Sequence, residues 1–73
     1  MEYFVIENTS LKRFNTLQLE ARASLVILPF TAAGLGQALR TYKDRKIEII
    51  GNGSNIVFSK SEYDEHYVFI ITT

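Results

Sequence analysis

The sequence predicts a small α+β domain, a βαβ unit extended by further strands, and three patterns carry that expectation. Apolar residues alternate from Leu17 to Ile27, the period-two signature of an extended segment. Leu35, Ala38, Leu39 and Tyr42 then stand at i, i+3, i+4 and i+7, one face of a helix. Lys46–Ile50 follows as a run too hydrophobic for an exposed hairpin arm. Strand, helix, strand with short connections makes a βαβ unit, whose crossover is expected to be right-handed.

The elements follow in order. Tyr3-Phe4-Val5-Ile6 reads as a short strand that Asn8-Thr9-Ser10 breaks, and residues 11–16 read as irregular. Leu17, Leu19, Ala21, Ala23, Leu25 and Ile27 are expected on one face of the next strand, with Val26 and Leu28 on the other. That strand is therefore buried on both sides near its end, and Pro29 stops it. The Thr31 hydroxyl is placed to cap a helix by accepting from a free first-turn N–H. Gly34 and Gly36 each weaken that helix by about 1 kcal/mol relative to Ala, so it relies on packing and lies close to a sheet. Asn55–Phe58 extends again, Ser59–His66 is polar, and Tyr67–Ile71 is a last strand. A flat apolar strand of that kind is a template for pairing with another chain, so a homo-oligomer is expected.

Composition sets limits on function. The 73 residues form a single small domain over 1–73, and a chain this short buries only about 60 % of its unfolded surface. With 47 % apolar residues, including five Phe and four Tyr, it is globular. No apolar run approaches the roughly 20 residues of a membrane span, and Met1-Glu2-Tyr3-Phe4 lacks the features of a signal peptide. The absence of cysteine fits a reducing compartment, and a cytoplasmic location is expected. Eight basic and eight acidic residues cancel. Arg40, Lys43, Arg45 and Lys46 cluster, but Asp44 and Glu48 interrupt them, so the cluster reads as a solvated helix end and not as a nucleic-acid surface.

The motif richest in chemistry is Gly51-Asn52-Gly53-Ser54-Asn55. Its two glycines allow backbone conformations with φ > 0 and close approach by another group. Successive N–H groups in such a loop converge into an anion cradle, whereas Asn-Gly between apolar runs is also the strongest short hairpin signal. On physics alone the plain turn is favoured. The third glycine of a dinucleotide-binding fingerprint is replaced by Ile56, and the Lys-Ser/Thr pair of a phosphate loop is absent. Glu62, Asp64 and His66 would share one face of an extended segment, but three ligands fall short of a structural zinc site, so they read as solvated charge and no metal is assigned. No cysteine and a single His leave no nucleophilic constellation, and no catalytic residue is assigned.

Three segments together resemble one enzyme family. Ser10-Leu11-Lys12-Arg13-Phe14-Asn15-Thr16-Leu17 is similar to the SLKxxNT(F) stretch of UDP-N-acetylenolpyruvoylglucosamine reductases. Ile49-Ile50-Gly51-Asn52-Gly53-Ser54-Asn55-Ile56-Val57-Phe58 resembles their LGxGSN(LVI)(LV)F flavin loop, and Glu62-Tyr63-Asp64 resembles the acidic-aromatic step before the next strand. The resemblance implies the first lobe of an FAD-binding domain. It implies an oxidoreductase that uses NADPH and FAD to reduce the enolpyruvyl group of a UDP-sugar for peptidoglycan. The loop amides of Gly51, Gly53, Ser54 and Asn55 would face the cofactor's pyrophosphate. Asn52 stands where the family often has Gly, and Asn15 and Thr16 are further candidates for FAD contact.

Gln18 replaces a usual Gly, and Glu65-His66 stands where a Gly commonly precedes the last strand. The family's catalytic Arg, Ser and Glu, its second FAD lobe and its substrate domain lie in segments this chain does not contain. The expectation is thus an amino-terminal fragment or a shortened homologue. Its partners would be FAD and the missing lobe and substrate domain, and the isolated chain would not turn over. The alternative is a non-enzymatic, self-associating module that kept the fold and lost flavin.

Overall fold

A computed structural model describes residues 2–14, 20–51 and 60–72. The described elements are strand β1 (Tyr3–Ser10), a single 3₁₀ turn (Lys12–Phe14), β2 (Arg22–Pro29), helix α1 (Ala32–Thr41), β3 (Lys46–Gly51), β4 (Glu62–Tyr63) and β5 (Tyr67–Thr72). They form one five-stranded sheet in the order β1-β2-β5-β3, with β4 beside β2. β2, β5 and β3 run parallel, and β1 pairs antiparallel with β2. The domain is α+β, as the pattern predicts.

The βαβ unit is present but split. β2 leads through α1 to β3, yet β5 lies between the two strands and pairs with both. This overturns the expectation that the last strand is an open edge. Val68, Phe69, Ile70 and Ile71 are all buried because a central parallel strand has neighbours on both sides and cover on both faces. Each such side chain contributes about 1.5–3 kcal/mol relative to exposure. Among the described strands, β1 and β3 stand at the two ends of the order.

β1 is also longer than its pattern predicts. Asn8 does not break the strand; it adopts φ 51 and the pairing with β2 resumes at Thr9 and Ser10. Asn tolerates this left-handed conformation better than most residues, and the Arg22 guanidinium donates to the Asn8 carbonyl at 2.7 Å. Opposite Asn8, the side-chain alternation of β2 slips by one. Leu25 and Ile27 pack on the helix side, but Ala21 and Ala23 join Val26 on the other face. The expected single face from Leu17 to Ile27 is thus corrected at this irregularity, and Leu17 and Leu19 lie outside the described residues.

α1 follows its sequence signals closely. Thr31 is extended (φ −138°, ψ 165°) and its Oγ1 accepts from the Gly34 N–H at 2.9 Å. The helix packs Leu35, Ala38, Leu39 and Tyr42 with Ile27, Val68 and Ile70. Gly34 is buried because the main chain of Glu2 crosses it. A Cβ there would overlap the Glu2 carbonyl oxygen and lie 2.9 Å from its carbon. The expected close approach is real at Gly34, but the crossing segment is the start of β1. Gly36 has only ordinary contact, 3.5 Å to Arg40.

Candidate functional site

Of the residues expected to touch a cofactor, only Gly51 is described; Asn52, Gly53, Ser54, Asn55, Asn15 and Thr16 lie outside the described residues, as does the Asn55–Phe58 extension. Gly51 ends β3 and pairs with Thr72 of β5. Pro29 ends β2 at the same end of the sheet, and α1 begins there. Crevices outside the carboxyl ends of parallel strands are where open α/β sheets bind ligands. The α1 N-terminus itself is taken. Thr31 Oγ1 donates to Glu2 Oε1 at 2.7 Å, and the Phe30 N–H donates to the Glu2 carbonyl at 2.9 Å. Glu2 was not singled out by the sequence, and no local pattern marks it; only the demand of Gly34 for a close neighbour does.

Ser10, which opens the SLKxxNT-like segment, sits at the opposite end of the sheet, paired with Arg22. Its hydroxyl donates to Glu20 Oε1 at 2.9 Å and accepts from the Lys12 N–H at 3.1 Å. The Leu11 N–H donates to the Ala21 carbonyl at 2.7 Å, and this turns Leu11 inward to complete burial. The Arg13 guanidinium lies 4.8 Å from the centre of the Phe14 ring. Thr9, Ser10, Lys12 and Arg13 border an open depression of about 350 Å³.

The Glu62-Tyr63-Asp64 segment is not extended throughout. β4 pairs with β2 at Ala23↔Tyr63 and β5 pairs at Val26↔Phe69, so three residues of the later segment loop out. Asp64 shapes that turn: its Oδ1 accepts from the His66 N–H at 3.0 Å, and its carbonyl accepts from the Tyr67 N–H at 3.1 Å. The His66 N–H, followed by the charge and side chain of His66, holds the Asp64 carboxyl below its ordinary value. His66 Nδ1 is 3.4 Å from Asp64 Oδ1, with both side chains largely exposed. Because of the turn, Glu62, Asp64 and His66 do not share the extended face expected of them. Among the described residues no three His, Cys, Asp or Glu side chains gather as a metal site.

Tyr63 points the other way and is buried, with its ring 5.0 Å from both Tyr67 and Phe69. Lys60 braces this group. Its N–H donates to the Tyr63 hydroxyl at 3.2 Å and its Nζ to the Tyr67 hydroxyl at 2.8 Å. The hydrogen bond to Tyr67 holds the Lys60 ammonium above its ordinary value.

The three family-like segments thus share one surface. Leu11 and Phe14 from the first, Ile50 from the second and Tyr63 from the third belong to one apolar cluster, built on Val26, Phe69 and Ile71, on the sheet face that α1 does not cover. This architecture defines a small α+β domain with a partly parallel sheet and Gly51 at the carboxyl end of β3. The chain is similar to the UDP-N-acetylenolpyruvoylglucosamine reductase of Francisella tularensis, 34 % identical over 67 residues. That match spans 92 % of this chain and 23 % of the relative. No family model matches the chain, and no solved structure does. No described helix is long and apolar enough to cross a membrane.

Proposed function

We propose that this chain is an FAD-binding portion of a UDP-N-acetylenolpyruvoylglucosamine reductase, a cytoplasmic NADPH-dependent enzyme of peptidoglycan synthesis. The observation that carries the reading is the convergence of the three family-like segments on one cluster opposite α1, in a chain 34 % identical to such a reductase. Gly51 fits the role: it stands at the carboxyl end of a parallel strand. With Glu2 on the α1 N-terminus, the pyrophosphate would rest on the loop amides of Gly51–Asn55 and not on a helix end. Asn15 and Thr16 would approach from the segment anchored by Leu11. FAD, when bound, would supply hydride transfer between NADPH and the enolpyruvyl group; the chain's own residues would bind and orient it.

The match spans 23 % of the relative, and the chain by itself is expected to bind FAD weakly. A few loop hydrogen bonds are worth about 0.5–1.5 kcal/mol each against association costs of at least about 4 kcal/mol. A dissociation constant of about 10 μM to 1 mM is expected, with no reduction of the enolpyruvyl substrate by the chain alone. Replacing Gly53 with Val abolishes binding, since a β-branched residue resists φ > 0 and obstructs close approach. Fluorescence titration of FAD against the two proteins checks this. Unchanged binding by the variant would put the cofactor elsewhere, and no binding by either protein would favour a module that kept the fold and lost flavin.

A further inference from the structure

We propose that the free edge of β1 pairs with β1 of a second copy of this chain, antiparallel about Val5. Among the described residues β1 ends the strand order, so one side of its backbone meets no described strand. The Phe30 N–H donates to the Glu2 carbonyl at 2.9 Å, which turns the main chain of Glu2 toward β2. Backbone groups alternate direction along a strand, so those of Tyr3, Val5 and Glu7 turn outward. At Asn8 the left-handed φ of 51° ends the regular edge. The outward donors and acceptors are therefore symmetric about Val5.

Pairing about Val5 uses all of them. Val5 faces its own copy, Tyr3 faces Glu7 across the two-fold axis, and Phe4 faces Ile6. No like charges oppose one another. Pairing about Glu7 would set two carboxylates together, and like charges directly opposite are destabilising. Apolar surface sits at the same place: Phe4 is 61 % exposed, Phe30 54 % and Val5 39 %, with the two Phe rings edge-to-face at 4.5 Å. The other edge, β3, carries exposed Lys46 and Glu48, the charged side chains that discourage edge pairing. β1 carries no charge from Tyr3 to Ile6. A chain of zero net charge adds no long-range repulsion between copies.

The chain has no cysteine, so a single introduced thiol reports on one contact. Paired Cα atoms at the two-fold would lie about 5.5 Å apart, within the range a disulfide spans. Mild oxidation of Val5→Cys is expected to give a covalent dimer, and Ile49→Cys on the β3 edge is expected to give none. Sedimentation at about 1 mM is expected to show dimer for the wild type and for Ile49→Lys. Val5→Lys, with folding verified by circular dichroism, is expected to weaken association by at least about tenfold. A wild type that stays monomeric at that concentration overturns the proposal, as does cross-linking through position 49 in preference to position 5. Flavin binding enters neither readout, so failure of the cofactor reading leaves this test intact.

Discussion

The two faces of the sheet are built differently. On one side, Leu35, Ala38 and Leu39 of a single helix, with Tyr42 at its C-cap, cover Ile27, Val68 and Ile70. On the other, Leu11, Phe14, Ile50 and Tyr63 arrive from three separate segments to cover Val26, Phe69 and Ile71. The helix face is a continuous local structure, closed by its own periodicity. The opposite face is assembled from single side chains of separate segments, and those segments carry the residues that resemble the reductase family. Both faces are therefore packed, one by a single helix and the other by side chains drawn from distant parts of the sequence.

Single substitutions sharpen that contrast. The largest effect is expected at Leu11, which is fully buried and, with Phe14, joins its segment to the apolar cluster. Leu11→Ala is expected to cost about 3 kcal/mol, from lost transfer energy and a cavity, and to abolish flavin binding by releasing the segment that leads to Asn15 and Thr16. Urea denaturation and FAD titration of the variant measure both. Retained binding in a destabilised but folded variant would separate the cluster from the site.

On the helix face the expected costs differ between two glycines a single residue apart. Gly34→Ala puts a Cβ into the Glu2 main chain. Neither backbone can yield without separating β1 from α1, so a loss of about 2 kcal/mol is expected. Gly36→Ala meets only the end of Arg40 and is expected to stabilise by about 1 kcal/mol, the difference in helix propensity. Thermal unfolding of the two variants should therefore move Tm in opposite directions, and equal shifts would remove the close approach as the reason for Gly34. Neither change is expected to alter flavin binding.

The same contrast decides what the sequence made legible. Thr31 and the spacing of Leu35, Ala38, Leu39 and Tyr42 define α1, because capping and helical period are local properties. The identity of β5 as a strand is equally plain in Tyr67–Ile71. Its central place is not, because strand order is set by non-local pairing, and a buried run reads the same in the middle of a sheet as at an uncovered edge. Asn8 misled for a related reason: a residue that favours turns also fits a left-handed irregularity inside a strand. The turn at 64–66 was masked by β4, whose two residues are too few to show a period. The cluster opposite α1 has no periodic signature at all, since its members come from separate segments. The resemblance of those segments to one family gave their order along the chain, and the structure shows that Leu11, Phe14, Ile50 and Tyr63 meet.

The smallest expected effect concerns the turn at 64–66, between β4 and β5. The Asp64 carboxylate accepts the His66 N–H, so its folded-state value lies below its unfolded one. A depressed carboxylate value favours the folded state above the unfolded value, near about 4. That contribution disappears as pH falls through the folded value. Asp64 is fully exposed, and solvent screens such interactions strongly, so the shift in Tm is expected to be smaller than that of Gly36→Ala. Comparing wild type with Asp64→Asn in thermal unfolding between about pH 2 and pH 7 tests the sign. The gap is expected to be present at neutral pH and to shrink below about pH 4. A gap that instead widens in acid would mean that the carboxylate is disfavoured by the fold, and that the His66 N–H is not what holds the turn between β4 and β5.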